Sequence, residues 1–209
     1  MKKYKKLTAI LLAMVMLLAM AIPALAATEA VPSNQVHVIV THDCTVTYNF
    51  PEDPTESYYE WAILGTPEEN GLVVYDAGYV NIDKVPLSVK QAYLKGVYED
   101  PLPGVVSYLD VIVAALGIDN ADYGWDATPK AGEPGGYISD YDNMAESWDS
   151  EQVDGDLWWV SGMGFVVAMG DAATDDISFP TEYLSNIPAE GGITLYVDCG
   201  YYELYTYLN

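Results

Sequence analysis

The chain has 209 residues, 51% of them hydrophobic and 12% aromatic, with eight basic residues against 31 acids and a net charge of −23. A surface this acidic repels phosphate backbones and anionic lipid, so nucleic acid and membrane surfaces are poor partners for it. Its core material is too plentiful for an acidic disordered segment, which leaves an acidic folded protein of one domain or two small ones.

The first segment, "MKKYKKLTAILLAMVMLLAMAIPALAA", has the layout of a secretory signal. Lys2, Lys3, Lys5 and Lys6 precede an apolar run, and Ala24-Leu25-Ala26 supplies small residues at a cleavage site. The run approaches spanning length, so an uncleaved anchor is the alternative, but Pro23 and the A-x-A site favour cleavage. Residues 1–26 are therefore expected to be a signal peptide of bacterial style. Neither a lipid-bearing cysteine after the run nor a hydrophobic tail after "YYELYTYLN" marks an anchor. With the signal gone, Lys84, Lys90, Lys95 and Lys130 face all 31 acids, a net −27, and no arginine remains. The expected location is extracellular, free or associated with the cell surface. Cys44 and Cys199 read there as a disulfide that would join the two terminal strands and stabilise by about 4–5 kcal/mol on a loop-entropy argument.

In chain order, "QVHVIVTHDCTVTYNF" alternates apolar and polar positions, with Val36, Val38 and Val40 on one face and His37, Ile39 and Thr41 on the other. This predicts two strands, or one long strand bent near His42-Asp43. "PEDPTES" predicts a loop, because two prolines and three acids do not sustain a ladder. "YYEWAIL" and "GLVVYDAGYVNI" predict strands joined by a turn in "GTPEEN". "LSVKQAYLKGVY" predicts a short helix capped by Ser88. "GVVSYLDVIVAALG" predicts the main helix, about 104–116: Val105, Val106, Leu109, Ile112, Val113 and Leu116 recur at spacings of three and four, and Gly117 stops it. Its thin polar face predicts burial, most naturally across a sheet.

Residues 118–154 have loop composition with scattered aromatics, and a connection that long reads as a binding loop. "DLWWVSGMGFVVAMG" returns to strand character, "DAATDDISFPTEYLSNIPAEGG" reads as a connection, and "ITLYVDCGYYELYTYL" closes the chain as a strand or hairpin. One helix among many strands gives an α+β, β-rich fold with extra N-terminal strands. The expected domains are a β-rich segment over 28–100 and a main domain over 101–209.

The succession "PLPGVVSYLDVIVAALG", "GGYISDYDNMA", "DLWWVSGMGF" and "AEGGITLYVDCG" resembles the bacterial secreted domain of unknown function 4430, related to the C-terminal domain of transcobalamin and intrinsic factor. The resemblance covers roughly residues 101–205. It implies a β-grasp-like sheet at a cell surface. The chain departs from the family pattern at Tyr141-Asp142-Asn143, at Ser161-Gly162 and at Glu190-Gly191-Gly192. Cobalamin-binding relatives pair this domain with a large helical barrel that nothing here could form, so cobalamin is the weakest of the implied partners.

Adjacent strand residues point to opposite faces, so only one of Trp158 and Trp159 can pack beneath the helix. The other, beside Tyr137, Trp148 or Phe165, could form an aromatic platform for a sugar ring, a peptide or another protein's surface. The competing reading places both indoles in the interior of a covered sheet. The acid clusters, Asp140 with Asp142 among them, lack the EF-hand spacing and read as solvated surface. His37 and His42 fall on opposite faces of an unbroken strand, so no metal site and no cofactor is expected. No nucleophile elbow or phosphate-binding loop occurs. The sequence thus points to a non-enzymatic binding or adhesion module. The alternatives are a structural component of a surface assembly, paired through an exposed "YYELYTYL" edge, and a small two-carboxylate hydrolase.

Overall fold

The alternating valines build one continuous strand, β1 (Gln35–Phe50), with Val36, Val38 and Val40 fully buried on one face. Around it, a computed structural model describes residues 30–126 and 135–207. The expected signal segment and Lys130 lie outside the described residues. From Val31 onward the described chain forms one unit.

β1 is bent where the sequence suggested. Its register against its neighbour shifts between His42 and Val46, and Asp43 takes the left-handed conformation at φ 56°. The irregularity withdraws two backbone N–H groups, of Cys44 and Thr45, from the ladder. Both are received by the carboxylate of Asp198, at 3.2 and 3.0 Å, which also accepts the hydroxyls of Thr41 and Thr45. Asp198 is wholly buried. A buried carboxylate without a cation is tolerable here because four donors surround it.

The partner strand is β10 (Ile193–Tyr207), which runs parallel to β1 and antiparallel to β8 (Leu157–Asp171). These three long strands form the middle of an open mixed sheet. Two short strands flank them at each end. β2 (Asp53–Trp61) and β3 (Val73–Asn81) pair with the second and first halves of β1; β7 (Ser147–Asp154) and β9 (Asp176–Ser178) pair with the first and last parts of β8. One end of the sheet therefore reads β3-β1-β10-β8-β9 and the other β2-β1-β10-β8-β7. The N-terminal strands belong to the same sheet as the C-terminal ones.

The sheet corrects two expectations. The "PEDPTES" segment is not a loop: from Asp53 it is β2, where Pro54 is tolerated because the strand is an edge. The Asn49 side chain donates both to Pro54 O at 3.1 Å and to Tyr205 O at 3.0 Å, supplying cross-strand bonds there. Of "YYELYTYL", the part over Tyr201–Glu203 is not an edge either: it is paired with both β1 and β8, while Leu204–Tyr207 is paired with β8.

The main helix, α2 (Tyr108–Leu116), begins four residues later than the apolar spacing predicts. Ser107 is its N-cap: the Ser107 hydroxyl accepts from the Asp110 N–H, and Asp110 Oδ2 accepts from the Ser107 N–H at 2.7 Å. This capping box fixes the start and leaves Val105 and Val106 in the lead-in. Gly117 closes the helix as expected, at φ 82°. The shorter α1 (Leu87–Leu94) starts after Pro86, and its Ser88 is not the cap. Lys90 of α1 is 1% exposed. Its ammonium donates to Asp100 Oδ1 (3.0 Å), Leu102 O (2.8 Å) and Val105 O (2.6 Å), and lies 3.4 Å from Asp110 Oδ2.

The described residues of the 118–154 region are largely strand rather than loop. β4 (Ala121–Asp126), β5 (Gly135–Tyr141) and β6 (Met144–Ala145) form a second, three-stranded sheet. Asp142 and Asn143 join β5 to β6 as a two-residue turn with φ positive at both, which suits the right-handed twist of a hairpin. Ala121, Ile138 and Tyr141 of this sheet share one core with Leu109, Ile112 and Val113 of α2 and with Val38, Val167, Leu195 and Val197 of the large sheet. The helix is buried nearly all round because it is packed between two sheets. A smaller cluster of Ile39, Ala168, Ala172 and Tyr196 fills the opposite face of the large sheet. The fold is α+β and β-rich, with an open mixed sheet.

Candidate functional site

Helix and small sheet cover only one end of the large sheet. Along β10, residues 194–200 are buried, whereas 201–207 are exposed or half-buried. The strand alternation is unbroken across the β10–β8 register, so side-chain faces can be followed from the covered end to the bare one. Leu195, Val197, Cys199, Tyr201, Glu203 and Tyr205 share the face that α2 covers at the first end. Beyond the helix the same face carries Trp159 opposite Tyr205, and Tyr48 opposite Glu203. Tyr58 pairs with Tyr48, their rings 5.2 Å apart, and Phe50 sits edge-on to Tyr48 at 5.7 Å.

Phe50 is 62% exposed and Tyr58 53% exposed. Glu203 is held among these rings by two donors, Trp159 Nε1 at 2.9 Å and the Tyr201 hydroxyl at 3.3 Å. An ordered carboxylate set among aromatic faces can accept hydrogen bonds from a ligand whose apolar face lies on the rings. Burial and the nearby Glu60 carboxylate raise the Tyr48 hydroxyl above the ordinary phenol range, so it remains a neutral donor.

The five aromatics expected to line a site are not gathered in one place. Trp159 lies on the helix side of the sheet, and Phe165 shares that face but packs into the core beneath α2. Trp158 points to the other face, as does Trp148, which stands opposite Gly162 and is 72% exposed. One residue pair, Ser150 and Val160, separates Trp148 from Trp158 along that face. Gly162 is required there, because a Cβ would run into the Ser147 carbonyl of β7. Tyr137 belongs to the small sheet, where its ring lies against Gly124. The competing reading, both adjacent indoles in the interior, does not hold either: each is half-buried.

Sequence reasoning missed Tyr48, Phe50, Tyr58, Tyr201, Glu203 and Tyr205. Their signal was parity: in "TYNF" and "YYELYTY" every second position on one face is aromatic or acidic, at the end of strands whose earlier same-face positions are aliphatic.

Cys44 and Cys199 are both free and buried, which corrects the expected disulfide. The terminal strands are indeed neighbours, but the two thiols face opposite ways. Cys44 lies with Thr41 and Asp198 on the face away from α2, and the next residue on β10, Cys199, must point to the other face. Burial, with the Asp198 charge second, pushes the Cys44 thiol up to about 12; the same two causes push Cys199 up to about 11.

Between the covered and bare ends lies a cavity of about 390 Å³, lined by His42, Val74, Asn143, Met144, Met163 and Cys199. Among the described residues no three His, Cys, Asp or Glu side chains gather as a metal-holding group, and no helix is long and apolar enough to cross a membrane. The chain matches no family model, no curated protein and no solved structure.

Proposed function

We propose that this is a secreted, non-enzymatic binding module, used free or at the cell surface, whose recognition face is the bare end of the large sheet on the helix side. The observation that carries this reading is the pair of exposed rings, Phe50 and Tyr58, packed on the half-buried Tyr48 and continuous with the Trp159–Glu203–Tyr201 group. Burying such rings on a ligand recovers transfer free energy that the fold itself leaves unused.

The ligand class this face suits best is a neutral carbohydrate. Sugar rings present C–H faces that stack on aromatic planes and hydroxyls that donate to carboxylates. Anionic ligands would meet Glu203 and the overall negative field. An acidic β7, with Asp149, Glu151 and Asp154, disfavours the alternative role of strand-to-strand surface assembly, since charged edges resist pairing.

The β-grasp-like architecture and the relationship to the domain of unknown function 4430 belong to this proposal. Their support is a helix packed across the β10–β8 pair that follows it in sequence.

Glycan-array screening of the mature chain, followed by calorimetry on the best hit, tests the reading. Tyr58→Ala and Trp159→Ala are each expected to weaken binding by about tenfold or more, as truncation of a central aromatic anchor does. Binding unchanged in both variants, and lost instead in Trp148→Ala or Trp158→Ala, would move the site to the opposite face. Absence of any glycan hit would overturn the carbohydrate assignment.

A further inference from the structure

The cavity at the boundary between the two ends of the sheet has a lining with its own chemistry. His42 and Cys199 are register partners on the neighbouring strands β1 and β10, both on the helix side, so their backbones stand about 4.8 Å apart. Met163 lies on the next strand, β8, one same-face step from Cys199: it pairs with Tyr201, while Phe165 pairs with Cys199. Three adjacent strands thus offer an imidazole, a thiol and a thioether to one space. Met144 offers a second thioether from the opposite layer, where it directly follows the Asp142-Asn143 turn.

The imidazole has a carboxylate beside one of its two ring nitrogens. His42 Nδ1 lies 3.1 Å from Asp43 Oδ2. In the tautomer that donates from Nδ1 to this carboxylate, Nε2 offers its lone pair to a metal. A carboxylate on the non-ligating nitrogen is the usual outer support of a metal-bound histidine. All four donor groups sit on strands, and Met144 directly follows a tight hairpin turn, which is the rigidity a preorganised site needs.

We propose that His42, Met144, Met163 and Cys199 form a binding site for a soft monovalent cation, Cu(I) in chemical class. Two thioethers and a thiol select Cu(I) over hard cations, which want oxygen ligands that this lining supplies only from Asn143. Binding releases one proton to solvent as the Cys199 sulfur passes from thiol to thiolate, and no electron is transferred.

The test is competition between the mature chain and the coloured Cu(I)–bicinchoninate complex under anaerobic conditions, with Ag(I) as a redox-inert parallel probe. One equivalent of Cu(I) should be withdrawn from the chelator. Cys199→Ser should abolish the withdrawal. Met144→Leu/Met163→Leu, which conserves volume and should keep the fold by circular dichroism, should weaken it at least tenfold. Failure of the wild-type chain to compete would overturn the site, as would withdrawal of undiminished strength in the folded double-leucine variant. Glycan binding is measured separately, so loss of one reading leaves the other standing.

Discussion

The two ends of the large sheet are built from the same three strands and differ in what lies on top of them. At the covered end, alternate residues of β1, β8 and β10 are Val, Leu and Met beneath α2, and the small sheet closes the other side of the helix. At the bare end, the same alternation continues with Tyr, Trp, Phe and Glu and meets no covering layer among the described residues. Backbone pairing alone extends a strand well beyond the core that justifies it. What the second end does with its side chains is then free to serve contact with something else.

If the covered end carries the stability, its buried polar groups should be the costliest to remove. Asp198→Ala would strand the N–H groups of Cys44 and Thr45 and two threonine hydroxyls at the bend of β1. Each unsatisfied buried group costs about 1–3 kcal/mol, so a loss of about 4 kcal/mol or more is expected. Denaturant unfolding measures it; a loss below about 1 kcal/mol would show that water reaches the bend.

Lys90→Ala should cost about 3–5 kcal/mol by leaving Asp110 and Asp100 without their cation. Part of that loss is packing of the lysine stem. Lys90→Met keeps most of the stem, so the difference between the two variants isolates the charge.

Alkaline pH sharpens the comparison without a mutation. Burial raises the thiols of Cys44 and Cys199 to about 12 and about 11 from an ordinary 9.0, and raises Tyr196 to about 12 from 10.0; Tyr93 and Tyr123 are pushed up for the same reason. The folded chain holds these protons after the unfolded chain has released them. The stability they contribute is therefore complete below pH 9 and is lost as pH rises through about 9–12. The thermal midpoint should fall steadily over that range, and Cys44→Ala/Cys199→Ala should flatten the part of the fall nearest pH 9. A midpoint indifferent to pH up to 11 would mean the buried groups ionise as freely as in the open chain.

Much of the covered end was legible in the sequence, and the reasons are local. Val36, Val38 and Val40 alternate, so β1 follows; the bend near His42-Asp43 was visible as a break in that alternation. The helix was legible in its apolar spacing and in Gly117, but its start was not, because a capping box decides the start and Ser107-Asp110 was hidden among favourable apolar positions. The loop reading of 118–154 failed because β4, β5 and β7 are short or polar strands rich in Gly, Asp and Ser, held by pairing and, for β4 and β5, by the core they share with α2 rather than by their own propensity. The buried Lys90 and Asp198 could not be read at all, since nothing local distinguishes them from surface charges. The disulfide expectation got proximity right and direction wrong: strand parity, which separates the thiols, depends on a register that no single strand reveals.

The smallest stability effect is expected at the bare end, and it is the one that decides between the two interpretations of its aromatics. If Phe50 and Tyr58 were a peripheral core, Phe50→Ser and Tyr58→Ser would destabilise in proportion to the area they bury. If they are a recognition face, each should change stability by no more than about 0.5 kcal/mol, as exposed substitutions do, while binding falls. Tyr48 and Trp159 are half-buried and make ring and hydrogen-bond contacts, so they fall between these limits. Glu203→Gln is the finest probe: it keeps an acceptor for Trp159 Nε1 and leaves the fold intact, but weakens the carboxylate as an acceptor for ligand hydroxyls. A binding loss in Glu203→Gln with an unchanged unfolding midpoint would assign the carboxylate to the ligand; an equal fall in both would assign it to the sheet.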